Sequence, residues 1–192
     1  MTLTTRGWFF RTAAVCAVLF VLLTAVEDSR LGARIDRPVE ALAFAVLDGA
    51  PNWLIDGLAD LGAPLTTVLL AALVAVALGA RGPGRLAVIS FGLFAALVLG
   101  QWALRQWFID YPSGHVARLV YVLLAAAHLL PARYKAAGIA VAVALGVLMA
   151  LQRVFTDTHT GTDVLGGGLL GCAFGCAFLG LAASEGRRRG RL

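Results

Sequence analysis

The chain has 192 residues, 60% of them hydrophobic, with a mean hydropathy of +0.85. That balance excludes a soluble globular protein and points to an integral membrane protein, one compact bundle with no room for a second domain. The net charge of +5 sits between apolar runs, so it reads as a topology signal before any nucleic-acid contact, and no nucleic-acid partner is expected.

The first apolar run extends from Trp8 to Val26, with Arg6 just before it and Arg11 near its start. It is longer than the core of a signal peptide and close to the ~20 residues a spanning helix needs. Residues 27–64 are mixed. Pro38 is placed to open a short helix, because its missing donor is harmless in a first turn, and the apolar residues that follow suit the membrane interface. Trp53, Leu54, Leu58 and Leu61 recur at helical spacing, with Asp56 and Asp60 on another side. This predicts a second amphipathic helix leading into the next span. Further spans are expected at 65–80, 86–104, 116–130, 136–154 and 164–183, giving an all-α bundle of six transmembrane helices in a single domain over residues 1–192. In the last span Gly167, Gly171 and Gly175 are spaced by four, a pattern that lets helices approach closely. Cys16, Cys172 and Cys176 all fall inside apolar runs and read as packing residues; no metal-ligand spacing is present.

Six spans put both termini on one side. Arg6, Arg11, Arg81, Arg85, Arg133, Lys135 and the tail Arg187, Arg188, Arg189 and Arg191 then share that side, which the positive-inside rule makes cytoplasmic. The polar segments 105–115 and 153–163 consequently face outside. The composition suggests a bacterial plasma membrane.

Those two segments hold most of the chemistry. In Pro112-Ser113-Gly114-His115, Ser113 is a natural N-cap for the helix that follows. A helix start with free donors and a side-chain-free Gly114 makes an anion site. In the second segment, Arg153 offers a fork of donors suited to phosphate. His159 suits nucleophilic or proton-transfer chemistry. Asp163 lies four residues on, where it orients the imidazole if the helix has begun. A bland reading stands beside each role: Thr160-x-x-Asp163 fits a capping box, Arg153 suits a snorkelling position, and His115 and His159 suit the interface.

The residues carry a resemblance. The pattern is similar to the type 2 phosphatidic acid phosphatase superfamily, which also includes the vanadium haloperoxidases. Its second signature, PSGH, stands intact at 112–115. Its third, usually SR-x5-H-x3-D, appears as Gln152-Arg153, His159 and Asp163, with Gln in place of Ser. The first, usually K-x6-RP, is not intact: the region offers Gln101, Arg105 and Gln106, and Arg105 is its best stand-in cation.

The resemblance implies that His159 attacks phosphorus and forms a phosphohistidine, with Asp163 holding the other ring proton. His115 would protonate the leaving group and later activate water. Arg153, Arg105, Ser113 and the Gly114 amide would hold the phosphoryl oxygens, with no metal or other cofactor. The expected substrate is a membrane lipid phosphate or diphosphate, such as a polyprenyl diphosphate, phosphatidic acid or phosphatidylglycerol phosphate. A phosphotransferase and a non-catalytic lipid-phosphate binding or transport module are the alternatives.

Arg118 lies three residues after His115 on the same helical face. It is either an extra phosphate cation or a partner for an acid inside the bundle. His128 lies about 20 Å farther along the helix, out of reach of the site. Asp157 reads as a solvated loop acid, and Asp110 and Tyr111 as candidates for the entrance.

Overall fold

Within a bilayer the backbone has no water to bond to, so apolar segments satisfy themselves as helices. The computed structural model describes residues 3–82, 84–108 and 110–189, and these are all-α. In chain order the helices are α1 (Leu3–Thr24), α2 (Arg30–Leu47), α3 (Asn52–Gly62), α4 (Pro64–Arg81), α5 (Gly84–Leu104) and α6 (Gly114–Ala127). A 3-10 turn (Ala132–Tyr134) leads to α7 (Lys135–Phe155), and α8 (Gly161–Arg189) follows. Pro83 and Arg191, from the expected basic turn and tail, lie outside the described residues.

Among the described residues, five helices are long and apolar enough to cross a membrane: Arg6–Thr24, Pro64–Arg81, Gly84–Leu104, Ala132–Phe155 and Gly161–Glu185. The chain is therefore a multi-pass membrane protein. The stretch expected to span over 116–130 differs. Its helix, α6, has 14 residues, about 21 Å at the standard rise and short of a ~30 Å hydrocarbon core. It is buried almost all round, between α4, α5, α7 and α8. Uniform apolarity here marks a central helix enclosed by protein.

The region before α4 also departs from expectation. Pro38 does not open a helix; it lies inside α2. The start is set eight residues earlier by Ser29, whose Oγ accepts from the amides of Leu31 (3.1 Å) and Gly32 (3.3 Å). Pro38 is exposed, so the carbonyl it leaves without a partner faces outward. In α3, Leu58 is buried, Leu54 and Leu61 are half-buried, and Asp56 and Asp60 are exposed; Trp53, expected with the leucines, is exposed as well.

α8 is the spine of the molecule, packed against α1 on one side and α6 on another. A methyl group added at Gly167 would collide with the Ser113 carbonyl, and one at Gly171 with the Ala117 carbonyl. Gly175 lies equally close to Leu124. The glycine spacing thus brings the backbones of α6 and α8 into contact and sets the depth of the Pro112–His115 segment against α8. At the far end, Arg81 Nη1 donates to the Leu129 carbonyl (3.2 Å) and Arg85 pairs with Glu185 (3.0 Å). His128 packs edge-on against Phe178 there, away from the polar clusters.

Candidate active site

The two polar clusters are joined by backbone. The Ser113 amide donates to the Asp163 carbonyl at 3.0 Å, tying the start of α6 to the first turn of α8. Ser113 occupies the N-cap position of α6, but its side chain makes no capping bond. Its Oγ is fully buried and has no partner. This corrects the expectation of a serine cap: the backbone of Ser113 is fixed from α8, and the hydroxyl is left without a partner. Gly114 follows, and the guanidinium of Arg118 folds back over it. A Cβ on Gly114 would stand 3.0 Å from Arg118 Nη1 and 3.3 Å from Cζ. Arg118 therefore reaches the helix start rather than an acid deep in the bundle, and its Nε is buried without a partner.

On the other side, the turn between α7 and α8 is held by local bonds. Thr158 Oγ1 donates to the Arg153 carbonyl at 2.8 Å, and Thr156 Oγ1 to that of Gln152 at 3.0 Å. The capping box forms: the Thr160 amide donates to Asp163 Oδ2 (2.8 Å), and the Asp163 amide to Thr160 Oγ1 (3.3 Å). His159 Nδ1 lies 3.4 Å from the same Asp163 Oδ2. One oxygen of Asp163 thus closes the capping box and lies nearest the imidazole. At that distance the histidine contact is electrostatic, without the direction of a good hydrogen bond, and Nδ1 has no other partner. Arg153 Nε and Gln152 Oε1 are likewise buried and unpaired.

His115, just before the apolar run of α6, feels the whole cluster. Burial pushes its imidazole down to about 4, helped by the charges of Arg153, Arg118, His159 and Arg105. Arg105 is exposed at the rim. All the expected site residues, His115, His159, Asp163, Arg153, Ser113, Gly114, Arg105 and Arg118, therefore gather at one end of the bundle. Gly62, at the end of α3, closes the site from below, close to His115 Cβ.

A cavity of about 430 Å³ opens onto His159 and Asp163. Its walls include Glu27, Asp28, Asp36, Asp110 and Asp157. Asp110 and Asp157 both hold a positive φ and point into the open. Tyr111 does not line the entrance: it is fully buried, stacked on Phe20 at 5.8 Å, with its hydroxyl 2.9 Å from Thr24 Oγ1. Glu27 carries a carboxyl raised to about 7, first by burial and then by Asp28, Asp163 and Asp36. Glu27 and Asp36 had no local sequence signal; only the packing of α2 onto α8 brings them here. Among the described residues, no three His, Cys, Asp or Glu side chains are grouped to hold a metal ion.

A second, apolar groove of about 150 Å³ runs between α6, α7 and α8. It begins at Val116 and Val164, each one residue from His115 and Asp163, and continues past Gly146 and Gly168.

Residues 89–186, just over half of the chain, match the PAP2 superfamily. No curated protein matches the chain. Its fold is similar to the crystal structure of the first transmembrane PAP2 type phosphatidylglycerolphosphate phosphatase from Bacillus subtilis. The TM-score is 0.76 at 21% identity, over 90% of this chain and 96% of that one. The matched region contains both polar clusters and the helices that carry them, and the chain belongs to the PAP2 superfamily.

Proposed function

We propose that the protein hydrolyses a small-headed lipid phosphate or diphosphate through a phosphohistidine, with the site on the extracytoplasmic face of the plasma membrane. Six membrane crossings, α6 among them, and cytoplasmic termini accompany this reading. The observation that carries it is the set of buried, unpaired polar atoms around the two histidines: Ser113 Oγ, Arg118 Nε and Arg153 Nε. Each costs about 1–3 kcal/mol when left without a partner. Such a cost is retained where a ligand supplies the missing bonds, and donors of this kind suit the oxygens of a phosphoryl group.

His159 attacks phosphorus through the ring nitrogen that does not face Asp163, and the bond to the lipid oxygen breaks. Asp163 keeps the proton on Nδ1 and stabilises the charged ring. His115 gives a proton to the departing oxygen. In the second step water attacks the phosphohistidine, His115 takes its proton, the P–N bond breaks and inorganic phosphate leaves. With the site empty, burial first and then the surrounding cations lower the proton affinity of His115. A bound phosphate cancels much of that field and raises its proton affinity, so it becomes an acid only with substrate present. The apolar groove starting at Val116 and Val164 suits an acyl or prenyl chain attached to the phosphate.

The test is phosphate release by the purified protein in detergent with EDTA, against phosphatidic acid, phosphatidylglycerol phosphate and a polyprenyl diphosphate. Release is expected in wild type and absent in His159→Ala. Equal release by the variant would overturn the phosphohistidine; lipid binding without release from any substrate would favour a binding module.

A further inference from the structure

An inter-helix contact bears on the geometry of His159. Asp36, on α2, accepts a hydrogen bond from the Thr162 amide through Oδ1 at 2.7 Å. Thr162 is the second residue of α8, and its amide is one of the four that a helix start leaves free. Local capping serves only the neighbours, Thr160 and Asp163. A second contact independently binds the same two elements. A Cβ on Gly161 would lie 2.9 Å from Val39 Cβ and 3.0 Å from Asp36 Cα, so α8 begins directly against the backbone of α2.

These contacts form a relay. Asp36 and the Gly161 contact fix the first turn of α8. That turn fixes Asp163, and Asp163 Oδ2 is what His159 Nδ1 faces. The His159–Asp163 contact is already long, at 3.4 Å, so it has little tolerance for a shift of the turn. The cavity that Asp36 lines also holds Glu27, Asp28, Glu40, Asp110, Asp157 and Asp163, with His159 as its one basic side chain among the described residues; the partner Asp36 takes is the α8 amide.

We propose that Asp36 is a positioning residue for catalysis: as an inter-helix cap on α8 it sets the orientation of the His159–Asp163 pair. The proposal rests on the phosphatase reading above. Asp36 touches neither substrate nor the reacting atoms, so its loss acts on turnover more than on substrate capture. Misplacement of a catalytic group by about 1 Å costs about a hundredfold.

Asp36→Ala is expected to lower kcat about ten- to a hundredfold and not to raise KM, since the cations that hold phosphate are on other elements and the cavity wall loses a negative charge. Asp36→Asn keeps an oxygen able to accept from Thr162 and is expected to recover most of the rate. Gly161→Ala keeps the carboxylate but pushes α2 away, and is expected to reproduce the loss of kcat. Wild-type turnover in Asp36→Ala, a loss confined to KM, or no recovery in Asp36→Asn would each overturn the proposal. If Asp36→Ala does not fold, wild-type kcat in Gly161→Ala would overturn it. An inactive wild-type protein would sink the phosphatase reading instead, so the two failures are told apart.

Discussion

Replacing Arg118 with Met separates a ligand-binding cation from a structural one, because the two predict opposite stability changes. The guanidinium lies over Gly114 at the start of α6, with Nε buried and unpaired. Methionine fills much of the stem volume without the charge. If Arg118 binds a phosphoryl oxygen, the variant loses a charge-assisted hydrogen bond of about 1.5–3 kcal/mol. At 1.36 kcal/mol per decade this lowers kcat/KM by about ten- to a hundredfold or slightly more. The folded apoprotein, relieved of a poorly solvated cation, melts no lower than wild type. Arg118→Lys keeps the charge but not the planar fork and falls between. The assay pairs phosphate release over a range of lipid concentrations with thermal unfolding in the same detergent. Activity within about threefold of wild type, or a rate loss matched by a clear drop in melting temperature, would refute the reasoning.

Glu27 gives a pH signature. Its carboxyl stands near 7 in the folded protein against an ordinary 4.5, so the neutral form is the one that folding favours. The associated stability is fully present below about 4.5 and is lost as pH rises through about 7. Glu27→Gln should flatten that part of the melting profile, and should also remove a rise in KM for anionic lipid above pH 7, where the wild-type cavity gains a negative charge; an unchanged profile in both would contradict this. Gly167→Ala drives a methyl into the Ser113 carbonyl, a backbone atom that cannot swing away. It should cost about 1–3 kcal/mol of stability and separate the two clusters, read as a lower melting temperature together with lost phosphate release.

What was legible in the sequence divides by the range of the interaction. The capping box at Thr160 and Asp163, the glycine spacing of α8 and the apolar runs are short-range patterns, and each appears in the fold. The length and place of α6 were not legible in the same way. A lipid-facing helix and a protein-enclosed one are both apolar all round, and only the neighbours distinguish them. Pro38 misled because a proline is tolerated inside an exposed helix when an earlier serine supplies the start. Ser113 had the right position for a cap but the wrong partner, since its backbone is fixed by Asp163, fifty residues away in sequence. Arg118 was ambiguous because spacing places a side chain on a face without saying which way along the helix it folds. Asp36 and Glu27 carried no local pattern at all.

The two helix starts at the site have unequal electrostatic freedom, and this decides which receives phosphate. Both α6 and α8 present the positive ends of their dipoles to the same region. At α8 the position is filled by the protein's own carboxylates: Asp36 takes the Thr162 amide and Asp163 the Thr160 amide. A phosphate there would meet two negative charges at contact distance. At α6 the capping residue withholds its side chain, Gly114 has none, and Arg118 adds a positive charge over the first turn. Under the proposed mechanism the phosphoryl group would be drawn to α6 and repelled from α8, although the histidine that would attack it belongs to the turn before α8. In that mechanism the anion would be held by one helix and the attacking imidazole by the other, and the Ser113–Asp163 backbone bond joins the two helix starts.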